Sequence, residues 1–140
     1  MRIKVPSPVS GGFILSYRCS CECLHCMYAC SPRWEGDWIS HKDLESILSG
    51  LAERIGPSPY GPEYVSLNHG LHFTGGDPFL NFNLLESAVE TAEFYGIAST
   101  FVETNAVWCV DKKLTKQKML LLKNKGLKGI IISVNPFYLE

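Results

Sequence analysis

Five of the six cysteines fall in the run Cys19-Ser20-Cys21-Glu22-Cys23-Leu24-His25-Cys26-Met27-Tyr28-Ala29-Cys30. Within it, Cys19, Cys23 and Cys26 stand in C-x3-C-x2-C spacing, which lets a single loop turn three thiolates toward one centre. Thiolates suit soft metals and iron–sulfur clusters. An iron–sulfur cube ordinarily takes four protein ligands, so a trio leaves one iron open to an outside ligand. An open corner of that kind is a reaction site rather than a relay for electrons.

Three short motifs follow downstream: Thr74-Gly75-Gly76-Asp77-Pro78, Glu103-Thr104-Asn105 and Ser133-Val134-Asn135. With the cysteine spacing and the aromatic-type His25 just before the third cysteine, they resemble the radical S-adenosylmethionine superfamily, in the family's own order. The likeness runs from about Gly12 to the last residue. It implies that Cys19, Cys23 and Cys26 hold a [4Fe–4S] cluster whose open iron chelates the amino and carboxylate groups of S-adenosylmethionine. One electron then splits the sulfonium C–S bond, and the resulting 5′-deoxyadenosyl radical takes a hydrogen atom from a substrate.

The same resemblance assigns the remaining residues. Gly75 and Gly76 would offer backbone carbonyls to the cofactor's amino group, since glycine allows close approach and positive φ. Asp77 stands where the family usually has glutamate, and Pro78 fixes the exit from the turn. Glu103, Thr104 and Asn105 occupy the place of ribose or methionine contacts, with Ala106 replacing the usual glycine. Ser133 and Asn135 resemble contacts to the ribose hydroxyls or the carboxylate. An electron donor such as a ferredoxin or flavodoxin is implied as a partner. The string Phe73-Thr74-Gly75-Gly76-Asp77-Pro78 is similar to a branch containing peptide- and protein-modifying members, activating enzymes and cofactor maturases.

Two non-catalytic readings compete. Structural zinc prefers four ligands, often as two C-x2-C knuckles; only Cys23-Leu24-His25-Cys26 forms one, with Cys19, Cys21 or Cys30 and His25 available to complete a site. A fully ligated electron-transfer cluster would need a fourth cysteine, and Cys21 and Cys30 are at hand. Their spacing misses the three-cysteine pattern, so neither is expected to be a ligand, and Cys21 is expected to point away from the other sulfurs.

These motifs need elements to carry them. A strand-like segment at 13–17 precedes the cysteines. Ser40 is a good N-cap for a helix whose apolar positions Leu44, Ile47, Leu48, Leu51 and Ile55 share a face, stopped by Gly56-Pro57. Residues 57–70, rich in proline and glycine, read as a loop. A strand at 71–74, a helix at 83–95, a strand at 98–103, a helix at 112–125 that is basic outside and apolar through Leu114, Met119, Leu121 and Leu122, and an apolar strand at 129–134 follow. Alternation of this kind predicts parallel strands joined by helical crossovers. Because active sites of parallel barrels gather at the strand C-terminal ends, all the motifs are expected on one rim.

The expected fold is therefore α/β, with parallel βα units forming part of a TIM-like barrel, and residues 1–140 making one incomplete N-terminal portion of it. The last strand, apolar on consecutive positions, is expected to be covered on both faces. Ending there would leave it as an edge, so a partial sequence is expected. Thirteen Lys and Arg against fourteen Asp and Glu give a net charge of −1, which points to no nucleic-acid partner. No segment reads as a signal peptide or a membrane span. The expectation is a cytoplasmic protein with reduced cysteines.

Overall fold

The computed structural model describes residue 3 and residues 8–134. Four strands, β1 (Ser10–Ser16), β2 (Gly70–Gly75), β3 (Phe101–Thr104) and β4 (Gly129–Ile132), form one sheet in the order β1-β2-β3-β4. Every pairing is parallel. Helices α1 (His41–Ala52), α2 (Phe82–Phe94) and α3 (Lys112–Asn124) alternate with them. The α/β class and the parallel βα units are thus as the sequence predicts.

Strand order equal to chain order has a geometric consequence. Crossovers of one hand between successive neighbours put every helix on the same face. Phe13, Leu15, Leu71, Phe73 and Val102 share that face and pack in one core with Leu44 and Leu48 of α1, Leu85, Ala88 and Val89 of α2 and Leu122 of α3. Register explains the match: Phe13 lies beside Phe73 and Phe73 beside Val102, so side chains of one parity line up across the sheet. The other parity belongs to the opposite face, where Gly12, His72, Phe101 and Gly129 form one row. Phe101 is fully buried yet stands outside the helix-side core, stacked on His72 at 5.0 Å between centroids.

Local chemistry sets the helix ends. Ser40 accepts from the Asp43 amide at 3.1 Å and caps α1. The helix stops at Ala52, four residues before Gly56, but Ile55 still turns into the core because its amide bonds Leu51 O at 2.9 Å. Ile47, expected on the buried face, is exposed. Asn81 caps α2 and Asp111 caps α3 through their side chains. On α3 only Leu122 is buried; Met119 packs against the core, while Leu114 and Leu121 face outward.

Two strands differ from expectation. β3 begins at Phe101 because Ser99 adopts φ +56° and anchors the preceding loop: its amide bonds Pro62 O at 2.9 Å and its hydroxyl accepts from Ser58 N at 3.0 Å. β4 is not covered on both faces. Gly129, Ile130 and Ile131 are partly exposed and Ile132 is exposed, and the strand lies at the sheet edge with β3 as its one strand neighbour among the described residues.

Candidate functional site

The cysteine loop grows from the end of β1 and is closed at its base. Cys19 N donates to Ser31 O at 3.2 Å, and Arg18 and Ser31 form an isolated parallel bridge. Inside the loop, Cys26 N bonds Cys23 O at 3.0 Å and Ala29 N bonds Cys26 O at 3.1 Å, which folds the second and third cysteines into consecutive turns. Arg33 pairs with Glu22 across the loop.

The turn after β2 is stitched directly to that base. Gly76 N donates to Ser16 O at 2.8 Å and Asp77 N to Arg18 O at 2.9 Å. This contact explains the glycines. Gly75 has φ +111°, and a Cβ there would sit 2.8 Å from the Ile14 methyl; a Cβ on Gly76 would overlap the Arg18 carbonyl. The pair lets two strand ends meet backbone to backbone.

A second stitch joins the turns after β2 and β3. Asp77 is buried, at 2% exposure. Its carboxylate accepts from Phe79 N at 3.0 Å, Thr104 Oγ1 at 2.8 Å and Asn105 N at 3.2 Å. Burial pushes its pKa up, and these donors pull against that. Thr104 Oγ1 donates to Asp77 and accepts from Ala106 N at 3.1 Å and Trp108 Nε1 at 3.0 Å, which uses the full capacity of a hydroxyl. Trp108 stacks on Phe79 at 3.9 Å and seals the joint.

Over these stitched turns lies a cavity of about 220 Å³. Cys19, Cys23 and Cys26 line it together with Gly75, Gly76, Glu103, Thr104, Asn105 and Ser133. Residues up to 114 positions apart in the chain (133 − 19) therefore share one space at the strand C-terminal ends. Asp77 and Pro78 do not line it. Both are buried at the start of the 3-10 turn Pro78–Asn81, so the aspartate acts as a cap and cross-brace instead of facing a ligand. Asn135 lies outside the described residues.

Cys21 departs from expectation, since it lines the same cavity as the other sulfurs. Cys30 lines it too, although buried; burial first, and Cys26 second, push its thiol pKa up to about 12. Burial also raises Cys19. Cys109 is exposed and does not line the cavity.

Residues not singled out as site groups complete the picture. Thr74 Oγ1 donates to Glu103 Oε2 at 2.5 Å, and His72 Nε2 lies 3.6 Å from Glu103 Oε1. His72 Nδ1 is buried without a hydrogen-bond partner. Burial lowers the imidazole pKa, with the Glu103 charge opposing. The available signal was parity: His72 and Thr74 stand two apart on β2, on the face that carries Glu103.

Among the described residues, no three His, Cys, Asp or Glu side chains gather closely enough to hold a single metal ion. A cubane makes a different demand, because each thiolate meets its own iron and the sulfurs need not converge on a point. Three cysteines lining one cavity fit that donor set. No protein-family model and no curated protein matches the chain. Among the described residues no helix is long and apolar enough to cross a membrane.

Proposed function

We propose that this chain is a radical S-adenosylmethionine enzyme, with Cys19, Cys23 and Cys26 holding a [4Fe–4S] cluster. The observation that carries the reading is the shared cavity. Cys19, Cys23 and Cys26 line it together with the glycine turn, Glu103, Asn105 and Ser133. When bound, a cluster with S-adenosylmethionine supplies one-electron cleavage of the sulfonium C–S bond.

This chain's own residues bind and orient. Gly75 and Gly76 present main chain to the cavity, where no side chain would block a cofactor's amino group. Glu103, its carboxylate held by Thr74, offers an acceptor to hydroxyl or ammonium hydrogens. Ser133, tied to β3 by the hydrogen bond its N–H donates to Thr104 O at 2.9 Å, offers a hydroxyl from the fourth strand end.

The sheet supports a partial barrel as the scaffold. Chain-order strands with helices on one face follow barrel winding, whereas a doubly wound sheet reverses order and carries helices on both faces. The opposite face, with His72, Thr74 and Glu103, would then look into the lumen. A ferredoxin or flavodoxin would supply the electron; the substrate is not assigned, a peptide or protein being one class the resembled branch includes. The cytoplasm is the proposed compartment, where thiols stay reduced.

The test is anaerobic reconstitution with iron and sulfide, followed by dithionite and S-adenosylmethionine. Formation of 5′-deoxyadenosine is expected; an intact cluster that yields none rejects the reading. A second reading rests on Cys21 and Cys30 lining the same cavity: either would make a fourth ligand, giving zinc or a fully ligated cluster without catalysis. One zinc per chain, with no labile sulfide, would favour it.

A further inference from the structure

Asn105 is held from four sides. Its Oδ1 accepts from Val107 N at 3.1 Å, its own amide donates to Asp77 at 3.2 Å, Thr104 before it is locked to the same carboxylate, and Ala106 after it takes φ +61° to close the turn. The Val107 bond decides which end of the side chain is which. An N–H donor on one side makes that atom the carbonyl oxygen, so the NH2 group points the other way. In that direction lie Ser20 Oγ at 2.9 Å, Cys21 Sγ at 3.2 Å and Cys19 Sγ at 3.6 Å.

We infer that Asn105 is a built-in hydrogen-bond donor to the cysteine loop, reaching one proposed ligand sulfur, that of Cys19, and that through Cys19 it raises the potential at which a cluster held by Cys19, Cys23 and Cys26 accepts an electron. The inference rests on the function proposed above and changes the role of one residue within it. Asn105 is a positioning residue for the sulfur side of the cavity, in place of a contact to ribose or methionine. The physical reason is charge. Reduction adds a negative charge spread over cluster and ligand sulfurs, and a donor aimed at sulfur stabilises the reduced form more than the oxidised one. Because the turn fixes the amide through the buried Asp77, the donor is in place before any cofactor binds.

The test uses the anaerobically reconstituted chain in an EPR-monitored redox titration, comparing wild type with Asn105→Leu and Asn105→Ser. Leucine keeps the volume and removes the donor. Serine keeps a side-chain oxygen for the Val107 amide, as serine turns do, but is too short to reach the sulfurs. Both variants are expected to hold the wild-type content of iron and sulfide and to show a midpoint shifted to more negative potential. An unchanged midpoint in cluster-loaded Asn105→Ser overturns the inference, as does weaker S-adenosylmethionine binding with no shift. Loss of the cluster from both variants overturns it in favour of a purely scaffolding role. Wild-type protein that assembles no [4Fe–4S] cluster rejects the underlying reading, an outcome distinct from the others.

Discussion

Asp77 Oδ2 takes a hydrogen bond from Thr104 Oγ1 at 2.8 Å, and this contact between two buried side chains fastens the turn after β2 to the turn after β3. With Asp77 N bonded to Arg18 O, one residue ties three strand ends together. The rim of the cavity is thus braced from beneath by a residue that does not line it.

Substitution at Asp77 should therefore be costly without touching a ligand. Asp77→Leu strands the Thr104 hydroxyl and the amides of Phe79 and Asn105, each lost partner costing about 1–3 kcal/mol. Asp77→Glu restores the residue usual in the resembled family, yet the added methylene has to enter a filled space, at about 1–3 kcal/mol. Both variants should unfold at lower urea concentration than wild type. An Asp77→Glu midpoint equal to wild type would mean the carboxylate has room to reach the cavity.

Gly76→Ala should damage the site through the main chain. A Cβ at that position overlaps the Arg18 carbonyl, so either the Asp77–Arg18 bond or the Gly76–Ser16 bond has to open. The base of the cysteine loop then loses its hold on β2. A loss of about 2 kcal/mol or more is expected from overpacking with a broken hydrogen bond, together with reduced iron uptake on reconstitution. Unaltered iron uptake would show that the loop keeps its form independently of the turn.

How much of this was legible beforehand depends on whether the signal was local. Ser40, Asn83 to Tyr95 and the glycine stops gave α1 and α2 to within a few residues, because capping and helical periodicity act over one or two turns. The convergence of the motifs followed from parallel topology alone. Asp77's inward orientation did not, because it depends on Thr104 and Asn105, which lie 27 and 28 residues away. The exposure of Ile47, Leu114 and Leu121 was hidden for a similar reason: apolar spacing identifies a face but not how much of it a neighbour covers. That Cys21 lines the cavity was not legible either, because ligand spacing along the chain does not say which way a loop turns the residue between two ligands.

His72 should make stability depend on pH. Burial lowers its folded-state pKa below the ordinary value of about 6.5. Between the two values the unfolded chain binds more protons than the folded one, so stability rises with pH there. His72 thus contributes stability that is present above the unfolded value and is lost as pH falls through the folded one. Glu103, the facing charge, softens the effect. Urea midpoints measured from about pH 8 down to about pH 5 should fall, and the fall should be smaller in His72→Phe, which keeps a ring against Phe101. Parallel curves for the two proteins would assign the pH dependence to other groups.

The five clustered cysteines should separate into two classes even though all of them line one cavity. If the open-corner cluster is correct, Cys19→Ala, Cys23→Ala and Cys26→Ala each remove a thiolate that no neighbour replaces at the same iron, and labile sulfide should fall to near background. Cys21→Ala should retain the cluster. Cys30→Ala should also retain it while losing about 1 kcal/mol or more of stability, because that side chain is a buried small hydrophobe. The fully ligated alternative predicts a different pattern, in which a fourth cysteine variant behaves like the first three. Iron and sulfide content of the five alanine variants decides between the two, since three sensitive positions mean an iron left free for a ligand and four mean a closed cluster.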